Sequence, residues 1–172
     1  MPDIRPCALP PQALLARYAG AGGYADCYTT EVAGPVLHAA YVEAFYTSWL
    51  FRLERRLIRL FLSRPSTDAE AVELACGGRT EFAAWRVEGR AVDQLLMCDI
   101  GGRTRSWLMV SAATAPAQGT RLYFGSAVVP AISRSTGKQG MGFVFRALLG
   151  FHKVYSRALL RSASARLART GH

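Results

Sequence analysis

The sequence predicts an α+β fold in which an antiparallel run of strands is covered by a long C-terminal helix. Two observations predict it. Between residues 81 and 129, four strand-like segments are separated by short turns, the mark of an antiparallel meander. After them, Gly142 to Leu167 carries Val144, Leu148, Phe151, Tyr155 and Leu159 at three- and four-residue steps, which lines one side of a helix at ~100° per residue. A stripe that wide needs an equally wide apolar surface to bury it, and the strands supply one. With 172 residues, 51% hydrophobic and 19% charged, the chain has the size and composition of one globular domain.

Residues 1–22 read as an N-terminal arm, Pro-rich to residue 12 and then at most two helical turns over 13–18 before AGAGG. The domain is expected over 23–168, with a tail at 169–172. Tyr24 to Val32 is rich in β-branched and aromatic residues and predicts the first strand, closed by Gly34-Pro35. A helix follows from Leu37 to Trp49, with Val42, Phe45 and Trp49 on its apolar side. Leu50 to Leu62 is strongly amphipathic: Arg52, Arg55, Arg56 and Arg59 share one side, and Leu50, Leu53, Leu57, Leu60 and Phe61 the other. Burial of the leucine side and solvation of the arginines is the expectation, in preference to an anionic-lipid surface. Thr67 and Glu70 form a capping-box pattern for a short helix ending at Gly77-Gly78. Four strands then follow: 81–91, 94–100, 104–112 and 120–129. Residues 130–141, basic and glycine-containing, form a loop that suits a lid over a neighbouring pocket.

Charge is distributed unevenly. Through Asp99 there are 12 acids against 10 arginines; from Ile100 onward there are nine Arg, two Lys and no acid. Such asymmetry suits an acidic partner or an anionic surface. No ribonucleoprotein-like aromatic and basic pattern accompanies it, which disfavours nucleic acid. No apolar run reaches the ~18 residues of a membrane span, and the N-terminus lacks the basic-then-apolar pattern of a signal peptide, so a cytoplasmic protein is expected. Cys7, Cys27, Cys76 and Cys98 are far apart with no C-x-x-C, so reduced thiols are expected. His38, His152 and His172 lack ligand-spaced neighbours, so no metal is expected, and no cofactor motif is present. Thr136-Gly137-Lys138-Gln139 lacks the first glycine and the hydroxyl of a phosphate loop, Ile132 and Gln139 standing in those places.

The pair YADCYTTEV and VLHAAYVEAFY, the run FAAWRVEGRAVDQLLMCDIGGRTRSWLMV, and LYFGSAVVP followed by GFVFRALLGFHKVYSRALL carry a resemblance. In them the chain is similar to the helix-grip (SRPBCC) superfamily of START lipid-transfer domains, birch-pollen allergens and polyketide cyclases, and within it to bacterial members without an assigned activity. The resemblance covers roughly residues 24–165. It implies a curved sheet gripping the last helix, with a cavity between them for a small hydrophobic ligand. Two departures stand out: the superfamily has six or seven strands where five are counted, and the helix at 67–76 occupies the place of two of them.

Glu54 breaks the pattern of its helix, lying on the apolar side. Burial would raise its pKa and suit it to general acid–base work, as in a cyclase or isomerase, unless an arginine such as Arg105 or Arg121 pairs with it. Tyr46, Trp49, Glu54, Trp85, Trp107, Tyr123, Phe151, His152 and Tyr155 are the candidate ligand-binding residues, the aromatics among them lining a cavity or orienting its ligand. Cys98 and Asp99 are adjacent on a strand and point to opposite faces, which disfavours a Cys–His pair with His152. In the expected strand 104–112, Thr104, Ser106, Leu108 and Val110 share one face, and Arg105, Trp107 and Met109 the other; which set faces inward is open. The first expectation is a binder of a small hydrophobic molecule, the second an enzyme using Glu54, the third a basic interaction protein. A homodimer is left open.

Overall fold

The computed structural model describes residues 3–19, 24–113, 118–129 and 143–170, the side chains of 143–152 and 170 excepted. Within them, strands β1 (Arg5–Pro6), β2 (Tyr24–Ala33), β3 (Glu81–Phe82), β4 (Trp85–Ala91), β5 (Gln94–Asp99), β6 (Thr104–Ala112) and β7 (Gly119–Val128) form one antiparallel sheet. Its order is β1-β2-β7-β6-β5-β4-β3, so the meander runs from β3 to β7 and β2 adds beside β7. Among the described residues, four α-helices accompany the sheet: α1 (His38–Tyr46), α2 (Trp49–Leu62), α3 (Asp68–Ala75) and α4 (Phe143–Thr170). A 3-10 helix spans Leu14–Tyr18.

Seven strands stand where five are expected. One addition comes from splitting 81–91. Ala83 takes φ 53°, so Phe82 pairs with Trp85 across a two-residue turn. The left-handed conformation costs an alanine energy, and alternation in the sequence does not report it. The other addition is β1, whose Arg5 and Pro6 pair with Thr29 and Tyr28. The stretch expected as an arm is thereby part of the packing: Ile4, Ala13 and Leu15 are buried.

Strand alternation divides the core in two. Tyr28, Leu95, Met97, Leu108, Leu122 and Phe124 face the helices, packing with Tyr41, Val42, Phe45, Phe51, Leu74, Leu159, Leu160 and Ala163. Cys27, Leu96, Trp107, Met109, Tyr123 and Ala127 face the N-terminal segment and Leu15. Gly125 lies opposite Trp107, and a Cβ there would meet Leu15 Cδ2 at 2.8 Å and Trp107 Cε3 at 2.9 Å. The missing side chain is what lets Leu15 reach the sheet. Gln94 anchors the same segment: its Oε1 accepts from Leu14 N–H at 2.9 Å and from Trp107 Nε1–H at 2.9 Å, and its Nε2 donates to the Gln12 carbonyl at 3.1 Å.

The capping box of α3 forms as expected, Thr67 accepting from Glu70 N–H and Glu70 from Thr67 N–H. Helix α2 departs from expectation on both sides. Its arginine side is not wholly solvated: Arg55 is 8% exposed. Arg55 donates to Asp68 Oδ1 at 2.7 Å and, through Nε, to Ser66 Oγ at 3.0 Å; its guanidinium lies 5.4 Å from the Phe82 ring centroid. Burial alone would raise the Asp68 pKa, but Arg55 and Arg52 outweigh it and hold the carboxyl below its ordinary value. The leucine side, expected in the core, is exposed at Leu53, Leu57, Leu60 and Phe61. Among the described residues no helix is long and apolar enough to cross a membrane.

Candidate functional site

Where α2 and α4 cross the helix-facing side of the sheet, they leave a cavity of about 240 Å³. Phe45, Phe51, Trp85, Phe124 and Leu159 supply its apolar wall, and Glu54, Thr104, Arg105, Ser106, Ser126, Tyr155 and Ser156 its polar lining. A larger hollow, about 400 Å³, lies between the end of β2 and the end of α4, but Glu31 is its one titratable group. Convergent polar groups with a shifted carboxyl mark the first as the better site.

Glu54 and Tyr155 meet across the two helices. The Tyr155 hydroxyl donates to Glu54 Oε2 in a short hydrogen bond. Burial pushes the Glu54 pKa up; the bond from Tyr155 pulls it back only in part, leaving it above the ordinary carboxylate value. Tyr155 is raised too, by burial first and then by the Glu54 charge. The pair can therefore hold a proton near a bound molecule, with Tyr155 as donor and Glu54 as acceptor. Beside it, the buried Ser156 Oγ has no hydrogen-bond partner among the described residues. Because Ser156 lines the cavity, a polar ligand atom would satisfy it. Neither arginine once weighed as a partner reaches Glu54: Arg105 pairs with Glu88 at 2.9 Å and Arg121 with Glu31 at 2.7 Å.

Of the nine residues expected to bind ligand, the structure brings Glu54, Trp85 and Tyr155 to this cavity. Tyr46 is buried nearby in a ring cluster with Phe45, Phe51 and Phe82, but is not part of the wall. Trp49 is corrected: it is 66% exposed. The helix expected through 37–49 stops at Tyr46, and Ser48 caps a new one by accepting from Phe51 N–H, which turns Trp49 outward. Trp107 and Tyr123 are corrected as well, since strand parity puts both on the face packed by the N-terminal segment. The side chains of Phe151 and His152 lie outside the described residues, as does the lid expected at 130–141.

Arg105 goes with Trp107. Its guanidinium sits 4.7 Å from the Tyr18 ring centroid, and Tyr18 donates to the same Glu88 carboxylate. Asp99 caps the β5–β6 turn, accepting from the N–H groups of Gly101, Arg103 and Thr104. Among the described residues no three His, Cys, Asp or Glu side chains gather as a metal site.

Phe51, Ser156 and Leu159 are wall residues that the sequence reading missed. Two were findable from spacing: Phe51 is one helical turn before Glu54, and Leu159 one turn after Tyr155. Thr104, Ser106, Phe124 and Ser126 needed the strand register. No protein-family model matches the chain, and none of the curated proteins compared with it does.

Proposed function

We propose that the protein binds a small, largely apolar molecule bearing one polar group in the cavity between α2, α4 and the sheet, in the manner of a cytoplasmic helix-grip protein. The observation that carries this is the composition of the wall: five aromatic or aliphatic side chains around Glu54, Tyr155 and an unpartnered Ser156. Size narrows the ligand. An engineered apolar cavity of roughly 150 Å³ holds benzene, so about 240 Å³ suits a molecule of one or two rings, and a long acyl chain does not fit. Support for the helix-grip reading comes from order and pairing: β2, then α1 and α2, then a meander whose last strand β7 returns beside β2, then α4. Native mass spectrometry of protein purified from its own host tests the binding. A co-purifying small molecule is expected, and a Leu159→Phe variant, which fills the cavity, should fold and lose it. A bare protein peak, with no uptake from a set of one- and two-ring aromatic acids and alcohols, would overturn the reading.

The Glu54–Tyr155 contact favours a second reading, in which the carboxylate transfers a proton on the bound molecule as in a cyclase or isomerase. Glu54→Gln separates the two. Retained binding with loss of any turnover supports proton transfer, whereas unchanged turnover of the bound molecule removes it.

A further inference from the structure

Helix α2 turns most of its apolar side to solvent. Trp49, Leu53, Leu57, Leu60 and Phe61 fall within about 120° of one another on a helical wheel, and Trp49, Leu60 and Phe61 are 66%, 73% and 75% exposed. The exposed Arg52, Arg56 and Arg59 run along one flank of this stripe. Glu54, the sole carboxylate of the helix, is bound to Tyr155. What the helix itself shows outward is therefore apolar and cationic, and the nearby Asp68 carboxylate is taken up by Arg52 and Arg55. Its opposite side is pinned to the body by Phe51 and by Arg55, through Ser66 and Asp68. The stripe is held facing out.

We propose that α2 is an interfacial helix that docks the protein on an anionic lipid bilayer, its leucine and aromatic stripe entering the headgroup–acyl boundary and Arg56 and Arg59 meeting lipid phosphates, while Arg52 keeps its ion pair with Asp68. Charge selects this occupant. A second copy of the chain would bring two arginine rows together, whereas an anionic bilayer offers hydrocarbon to the stripe and negative charge to its flank. Trp49, at the start of the helix, has the amphipathic ring that settles at such boundaries. A net charge of +9 adds attraction at longer range. Fourteen residues make a helix of about 21 Å, too short to cross and suited to lying flat. The proposal does not require the cavity to be occupied.

The test is flotation of the full chain with vesicles of phosphatidylcholine containing about 30 mol % phosphatidylglycerol, against phosphatidylcholine alone. Flotation is expected with the anionic vesicles only, and raised salt should release the protein. Each of R56Q and R59Q should weaken partitioning about five-fold. The double variant L60S/F61S, at exposed positions, should melt like the parent and stay in the aqueous fraction. Trp49 should give a blue shift in emission on anionic vesicles that W49F lacks. Absence of flotation, or flotation unchanged in both sets of variants, would overturn the proposal. A dimer dissolved by L60S/F61S without flotation would assign the face to a second copy instead.

Discussion

On one side of the sheet, Leu15 enters the gap left by Gly125 and touches Trp107, and the surrounding polar groups are paired through Gln94. On the other, helices α1, α2 and α4 span the strands and leave a cavity that holds Glu54, Tyr155 and Ser156. The first face is closed by an irregular segment that can fit residue by residue. The second is closed by cylinders of nearly constant radius, which touch a sheet along ridges and leave hollows between them. Titratable and unpaired polar groups collect where the packing is incomplete. The filled face carries stability, and the hollow face carries the groups that are expensive to bury.

The largest test of that contrast is Leu15→Ala. Leu15 is fully buried, and Gly125 and Trp107 cannot close over the space it leaves, so a loss of about 3–5 kcal/mol is expected in urea unfolding. Ser156→Ala, at the cavity wall, should cost nothing measurable or stabilise, because it removes a hydroxyl that has no partner. Equal losses at the two sites would erase the distinction between the faces.

A second difference lies in how each face is tied. The sulfurs of Cys7 and Cys27 are 3.1 Å apart, joining the N-terminal segment to β2. The hydrogen bond with Cys27 holds the Cys7 thiol below its ordinary value, with burial opposing it, and Cys7 is the more exposed of the two. Oxidised glutathione should therefore be attacked by the Cys7 thiolate, releasing one glutathione thiol. Cys27 then displaces the second, and both cysteine protons end on the released thiols. Closing a loop of this length is worth about 3 kcal/mol on chain-entropy grounds, which should raise Tm by about 5–10 °C in a domain of this size. Intact mass should fall by two hydrogens, and Cys7→Ser should abolish both effects. An unchanged mass under oxidant would show that the pair is only in contact.

Much of this arrangement was legible in the sequence, and what was not has physical causes. Alternation located β6 over Thr104–Ala112, and the Thr67–Glu70 spacing located α3. Glu54 was legible as a residue out of place, and the structure brings it to the cavity wall. Trp107 and Tyr123 were misassigned because alternation defines two faces without saying which meets the helices. That choice depends on the pairing of β6 with β7 and on the packing of Leu15, contacts distant in sequence. Trp49 was misplaced because a two-residue break at Thr47-Ser48 resets the helical phase, and Ser48 reads as a cap only once the break is known. Arg55 shares a wheel sector with Arg52 and Arg59, yet only Arg55 points at Ser66 across the turn into α3. The Cys7–Cys27 approach follows from the pairing of β1 with β2, which a two-residue strand containing a proline does not advertise.

Small effects are expected at the pair that defines the hollow face, and their sign is more informative than their size. Tyr155→Phe removes one partly buried hydrogen bond, a loss of about 1 kcal/mol. It should also push the Glu54 pKa further up, since burial would then act unopposed. A carboxyl whose folded pKa exceeds its unfolded value is easiest to accommodate when protonated. Stability from this group is therefore full below the ordinary carboxylate pKa and declines as pH rises, levelling off above the raised folded value. Glu54→Gln keeps an oxygen to accept from Tyr155 but cannot ionise. It should flatten that decline, so that parent and variant differ more at neutral pH than at pH about 4. Tyr155→Phe should extend the decline to higher pH. Urea midpoints measured across this range for the three proteins decide the matter. If the parent and Glu54→Gln curves run parallel, Glu54 titrates alike in the folded and unfolded chains, and the hollow face then holds an ordinary carboxylate.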